Sequence, residues 1–260
     1  AAKVFQQSLL AILETTSPRA WAFALIGIYE YLRRFAGDRR VTQVQVELAG
    51  RLLTLYQNNR VDGWTWFEDK LTYCNAALSH AMLLCGESIP NYAMTEAGLE
   101  SLGWLADLQR SDTDGKHFVP IGSNGFYQHD GERARFDQQP VEAQAMVSAC
   151  LEAYGITRDK RWHQEIRRAF EWFLGRNDLH LSVYDPTTGG CRDGLHPDRP
   201  NENQGAESTL AFLQSLLELR LAENVMESNE HNHNEQSTFG NLSTLQTQSN
   251  PDSRKLAVSS

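Results

Sequence analysis

Carboxylates, carboxamides and aromatic rings recur together in three separate stretches of this chain. The first is Trp64-Thr65-Trp66-Phe67-Glu68-Asp69, followed by Tyr73 and Asn75. The second is Phe136-Asp137-Gln138-Gln139-Pro140-Val141-Glu142, entered through Gly122-Ser123-Asn124-Gly125-Phe126-Tyr127. The third runs from Tyr184-Asp185-Pro186 through Gly189-Gly190-Cys191-Arg192-Asp193-Gly194 to Asn201-Glu202-Asn203-Gln204-Gly205-Ala206-Glu207. Ring faces stack on the apolar faces of pyranoses, and carboxylates and amides exchange hydrogen bonds with hydroxyls. Paired carboxylates also supply the acid and base of glycoside hydrolysis.

Capping chemistry explains part of this. Asp137 and Pro140 suit a helix start, and Glu68, Asp69, Glu142 and Glu207 suit first turns. Turn chemistry explains Asp185-Pro186 and Gly189-Gly190. Neither requires Gln138 and Gln139. If the chain is catalytic, Glu68 or Asp69, in the drier aromatic setting, would be the acid and Asp137 the base. A separation of about 5–5.5 Å would give retention, and about 6.5–9.5 Å inversion. Trp64, Trp66, Tyr73, Asn75, Gln138, Gln139, Glu142, Asp193, Asn203, Gln204 and Glu207 are the expected substrate contacts. No glycine-rich phosphate loop, G-x-S-x-G or HExxH occurs. The histidines are scattered, with no ligand spacing and no evident place in the three clusters. No cofactor and no metal is expected, the His231/His233 pair being an adventitious binder at most.

Helical periodicity fills most of the chain: Val4–Leu13, Pro18–Phe35, Val41–Tyr56, Leu71–Leu84, Thr95–Gln109, Val141–Tyr154, Trp162–Leu174 and Ala206–Leu221. Ser17-Pro18 reads as a helix start. Gly37-Asp38, Gly155 and Gly175 read as stops, and Thr157-Arg158-Asp159 as a turn between antiparallel helices. Short strands are expected near His117–Ile121 and Leu181–Tyr184. Helices opening near Pro18, Leu71, Val141 and Ala206 are rich in small residues, and those between them carry more charge. An inner ring of helices wrapped by an outer one accounts for both compositions. The expected fold is therefore all-α: an α/α toroid of helical hairpins, incomplete at about four hairpins, with long polar loops gathered at one end. Residues 1–226 form the domain. Residues 227–260, rich in Asn, Ser, Gln and Thr without apolar periodicity, are expected to be a disordered polar tail.

The chain has 260 residues, 41% hydrophobic, enough for one large core. A net charge of -9 gives no electrostatic basis for holding nucleic acid or anionic lipid. No apolar run approaches the roughly 20 residues of a membrane span. Cys74, Cys85, Cys150 and Cys191 lack zinc spacing and read as buried thiols in a reducing compartment, hence a cytoplasmic protein. Cys74 and Cys85, placed on one helix about 16 Å apart, could not pair. The start at Ala1 suggests a piece of a longer chain.

The chain resembles the helical domain found in some bacterial and cyanobacterial glycosyltransferase-type proteins, related to the six-hairpin glycosidases. The resemblance rests on Ser17-Pro18-Arg19-Ala20-Trp21-Ala22-Phe23, Trp66-Phe67-Glu68-Asp69, Phe136-Asp137-Gln138-Gln139-Pro140, Trp172-Phe173-Leu174-Gly175-Arg176-Asn177-Asp178, Thr188 to Leu195 and Asn203 to Thr209. It spans roughly residues 10–220. It implies a carbohydrate-active domain with a glycan partner, either hydrolytic or an accessory module for an upstream glycosyltransferase domain. A purely structural helical scaffold is the third reading.

Overall fold

The computed structural model describes residues 2–113 and 116–224. The expected tail at 227–260 lies outside them. Residues Ala1–Leu219 form one compact unit, with Arg220 onward assigned to a second. The described residues are mostly helical: α1 (Ala2–Leu13), α2 (Pro18–Arg34), α3 (Arg39–Asn59), α4 (Ala76–Ser88), α5 (Tyr92–Leu108), α6 (Pro140–Thr157), α7 (Lys160–Glu171) and α8 (206–224). None of these helices is long and apolar enough to cross a membrane.

Local chemistry sets most of the boundaries. Ser17 accepts a hydrogen bond from the Ala20 N–H, with Pro18 in the first turn of α2. Asp38, Asn91 and Asp159 cap α3, α5 and α7 in the same way. Arg158, at φ 57°, turns the chain from α6 into α7.

Small residues then set the packing. α2 packs on α4 and α4 on α6, while α3, α5 and α7 pack on α2, α4 and α6 respectively. α4 and α6 are buried along most of their lengths. At Gly86 of α4, a Cβ would lie 2.7 Å from the Thr95 backbone nitrogen of α5, so only glycine permits this approach. The partner helices carry the charge. On α7, Arg168 donates to the Ala106 and Gln109 carbonyls and pairs with Glu165, which also takes Arg110 at 2.5 Å. Phe212 of α8 stacks on Tyr184 at 4.2 Å and lies 5.9 Å from Phe170.

Several boundaries differ from expectation: α5 starts at Tyr92 rather than Thr95, and α7 ends at Glu171, where a 3-10 turn over Trp172–Leu174 takes over. α4 starts at Ala76 rather than Leu71, because Lys70–Leu71 (β1) pairs antiparallel with Tyr127–Gln128 (β2) and Cys74 takes φ 49°. Cys74 therefore precedes the helix that holds Cys85. Gly155 lies inside α6, which runs on to Thr157. The segment around residues 117–121 forms only a bridge from Phe118 to Arg110, and the second short ribbon is Tyr184–Asp185 (β3) with Gly190–Cys191 (β4). All four cysteines are free and buried.

Candidate functional site

The three polar stretches are hydrogen-bonded in series. β1 joins the first to the second through β2, and the His129 N–H donates to the Asp69 carbonyl at 2.8 Å. The second joins the third where Gln138 and Leu195 exchange backbone hydrogen bonds of 3.0 and 2.9 Å. Gly194 makes that pairing possible. It has φ 153°, and a Cβ there would stand 2.2 Å from the Gln138 carbonyl oxygen.

A buried arginine ties the first stretch to α2. Arg19, 6% exposed, forms an ion pair with Glu68 and donates to Asn75 Oδ1 at 3.0 Å and to the Tyr73 carbonyl at 2.7 Å. Its guanidinium also lies 5.8 Å from the centre of the Tyr73 ring. Asn75 in turn bonds the Thr72 backbone on both sides and reaches Glu142 at 3.3 Å. Glu142 spans from α6, accepting the backbone N–H groups of Cys74 and Asn75. Burial pushes the Glu142 carboxyl up to about 7, against the opposing pull of those hydrogen bonds and of Arg19. Glu207, at the start of α8, is close enough to raise the Cys74 thiol further, after burial and Glu142. The starts of α2, α4, α6 and α8 thus share one electrostatic neighbourhood.

The second stretch splays into three directions. Asp137 does not cap α6: Gln139 is the cap residue, and no side chain bonds there. Instead Asp137, at φ 51°, places Oδ1 2.6 Å from His196 Nδ1, with the Asn201 amide 3.4 Å from the other ring nitrogen. Gln138 turns inward and is fully buried. Its amide donates to the Arg135 carbonyl at 2.9 Å and to Asp178 at 2.8 Å, and its Oε1 accepts from Trp172 at 2.8 Å. Asp178 also takes Arg135 and His117. Burial raises its carboxyl, but these hydrogen bonds together hold it below the usual carboxylate range.

Several expected substrate contacts are therefore fold contacts. Trp64 and Trp66 are buried, packed against Trp104, Tyr127, His129 and Phe67, and present no free face to a sugar. Gln138, Asn75 and Glu142 are buried with their polar atoms engaged. Asp193 binds the start of α8 from outside, accepting from Asn203, from the Gly205 N–H at 2.7 Å and from Ser208 at 2.7 Å. Partial burial raises its carboxyl and these three donors hold it below its ordinary value. Gln204 ties Asp185 at 3.1 Å to Thr188 at 2.7 Å. Asp69 is exposed and bonds Gln128 at 3.0 Å. Among the described residues, no hydrogen bond joins Glu68 or Asp69 to Asp137. Tyr73, 47% exposed, is the aromatic of the first cluster that faces outward. Gln139, Asn203 and Glu207 also retain exposed surface.

Arg19 and His196 are two of the participants that lie outside the expected set. Arg19 had a signal: a cation in a helix's first turn opposes the helix dipole and calls for a local anion. His196 follows Gly194 in the third cluster, but its pairing with Asp137 spans 59 positions and has no local mark.

No protein-family model and no curated protein matches the chain.

Beside this network lies a cavity of about 600 Å³ between α2, α4, α6 and α8, reaching Cys74 at its border. Phe23 of α2, His80 of α4, Gln144 and Ser148 of α6, and Gln214 and Glu218 of α8 line it. Gln144 donates to Ser148 Oγ at 2.8 Å, and that hydroxyl lies 2.8 and 2.7 Å from the two oxygens of Glu218. Burial raises Glu218 to about 7, against the Ser148 hydrogen bond, and lowers His80 to about 4. None of the six was among the expected contacts. Among the described residues, no group of three His, Cys, Asp or Glu side chains is placed to hold a metal ion.

Proposed function

We propose that this chain is a glycan-binding domain whose site is the cavity between α2, α4, α6 and α8. The observation that carries the reading is the cavity's lining. It combines a half-exposed aromatic ring, Phe23, with two amides, a hydroxyl and two carboxyls contributed by α2, α6 and α8. That mixture suits a polyhydroxylated ring with one apolar face. A volume of about 600 Å³ accommodates a sugar of one or two rings. The packing order supports an arc of an α/α toroid, with α2, α4, α6 and α8 inside and α3, α5 and α7 outside. The cavity would then be the concave face of that arc.

Binding without hydrolysis is the form we favour. Glu68 is neutralised by Arg19, Asp69 braces a rim ribbon, and Asp137 is committed to His196. A domain of this kind would serve as an accessory module to a glycosyltransferase, presenting glycan to it. The test is a glycan array probed with the purified chain, followed by product analysis of any retained glycan. Saturable binding, weakened about three- to tenfold by Phe23→Ala and leaving the glycan intact, is expected. Retention of no saccharide would overturn the proposal, and cleavage would overturn its non-hydrolytic form.

A further inference from the structure

The cavity is electrostatically unbalanced. No lysine or arginine lines it. Its histidine, His80, is held neutral at physiological pH by burial. Glu30, also in the lining, already has a cation, with Arg33 at 3.1 Å. Glu218 has none among the described residues. It accepts only the neutral Ser148 hydroxyl, itself committed through Gln144. Partly burying a carboxylate without a cation is costly, and the upward displacement of Glu218 reflects that cost. An ammonium group brought by a ligand would supply the missing charge.

Resting on the glycan reading above, we propose that the cavity selects an amino sugar: a hexosamine with a free, protonated amine, paired to Glu218. Its ring face would lie on Phe23, and its hydroxyls would meet Gln214 and Gln144. A neutral hexose would fill the same space but leave Glu218 unpaired. An N-acetylated sugar would add bulk without charge. A sugar phosphate would meet Glu218 as a like charge.

The experiment is isothermal titration calorimetry on the full chain near neutral pH, with glucosamine, glucose, N-acetylglucosamine and glucose 6-phosphate. Glucosamine should bind at least about tenfold more tightly than glucose, the worth of one charge-assisted pair. Glucose 6-phosphate should bind most weakly. In Glu218→Gln the preference for glucosamine over glucose should collapse toward unity. The four-ligand comparison on the unmodified chain stands even if that variant does not fold. Equal affinity for glucosamine and glucose would overturn this inference and leave glycan binding intact. A preference that survives in folded Glu218→Gln would overturn the role of Glu218. Failure of every saccharide to bind would overturn both the inference and the reading beneath it.

Discussion

The buried carboxyl of Glu142 should make the stability of this protein fall as pH rises toward neutrality. Glu142 is 3% exposed, and burial lifts its carboxyl from 4.5 to about 7. Between those values the folded chain keeps a proton that the unfolded chain has released. Native protein therefore binds more protons, and unfolding becomes easier as pH rises through the window. At roughly 1.36 kcal/mol per pH unit, the interval corresponds to a ceiling of about 3 kcal/mol. Glu142→Gln keeps the shape and removes the titration. Urea unfolding of both proteins, followed by circular dichroism across this range at constant ionic strength, checks the point. At the acid end, where the wild-type carboxyl holds its proton, the variant should stand at its largest deficit relative to wild type. That deficit should narrow by up to about 3 kcal/mol as pH approaches and passes 7. Glu152 and Glu218, also raised to about 7, add slope of the same sign to both proteins. Parallel stability curves for wild type and variant would refute the reasoning.

Gly194→Ala places a Cβ 2.2 Å from the Gln138 carbonyl at φ 153°, so it should cost about 1–3 kcal/mol and free the Leu195 N–H to exchange with solvent, read by amide hydrogen exchange. Trp172→Phe leaves the buried Gln138 Oε1 without its donor and should lower stability by about 1–3 kcal/mol in urea melts. Arg19→Met strands Glu68 and Asn75 and should cost about 3–5 kcal/mol, while Arg19→Lys should recover only part of that because one ammonium cannot reach three acceptors in a fork; thermal unfolding distinguishes the two.

Helices were legible in the sequence because they announce themselves locally. Ser17-Pro18 acts within a turn of its own position, and the periodicity that follows reports one buried face; Asp38, read as a stop, caps α3 instead, and the Asn91 cap starts α5 three residues before the expected Thr95. The start of α4 was not legible, because the strand pairing of Lys70 with Gln128 and the left-handed Cys74 depend on residues far along the chain. The candidate site divides the same way. That three polar stretches would meet could be read from the recurrence of small-residue helices behind polar loops. Which side chains would turn inward could not. Gln138 is buried because Trp172 and Asp178, from beyond α6, complete its amide, and an exposed Gln at a helix mouth looks identical in sequence. Trp64 and Trp66 read equally well as sugar platforms or as core, and neighbours such as Trp104 and Tyr127 decided for core. The cavity was missed because its lining is spread singly along four helix faces, at Phe23, His80, Gln144 and Gln214 among others, with no cluster to notice.

The most direct test of the central claim, a sugar site in the cavity between α2, α4, α6 and α8, is to map ligand-induced chemical shifts on the isotopically labelled chain. Titration with the glycan retained on the array, or with glucosamine, should move Ala77, His80, Gln144, Ala145 and Gln214 together along one saturation curve. Shifts centred on Asp69 and Gln128 at the rim, or no saturable shifts with any saccharide, would contradict it.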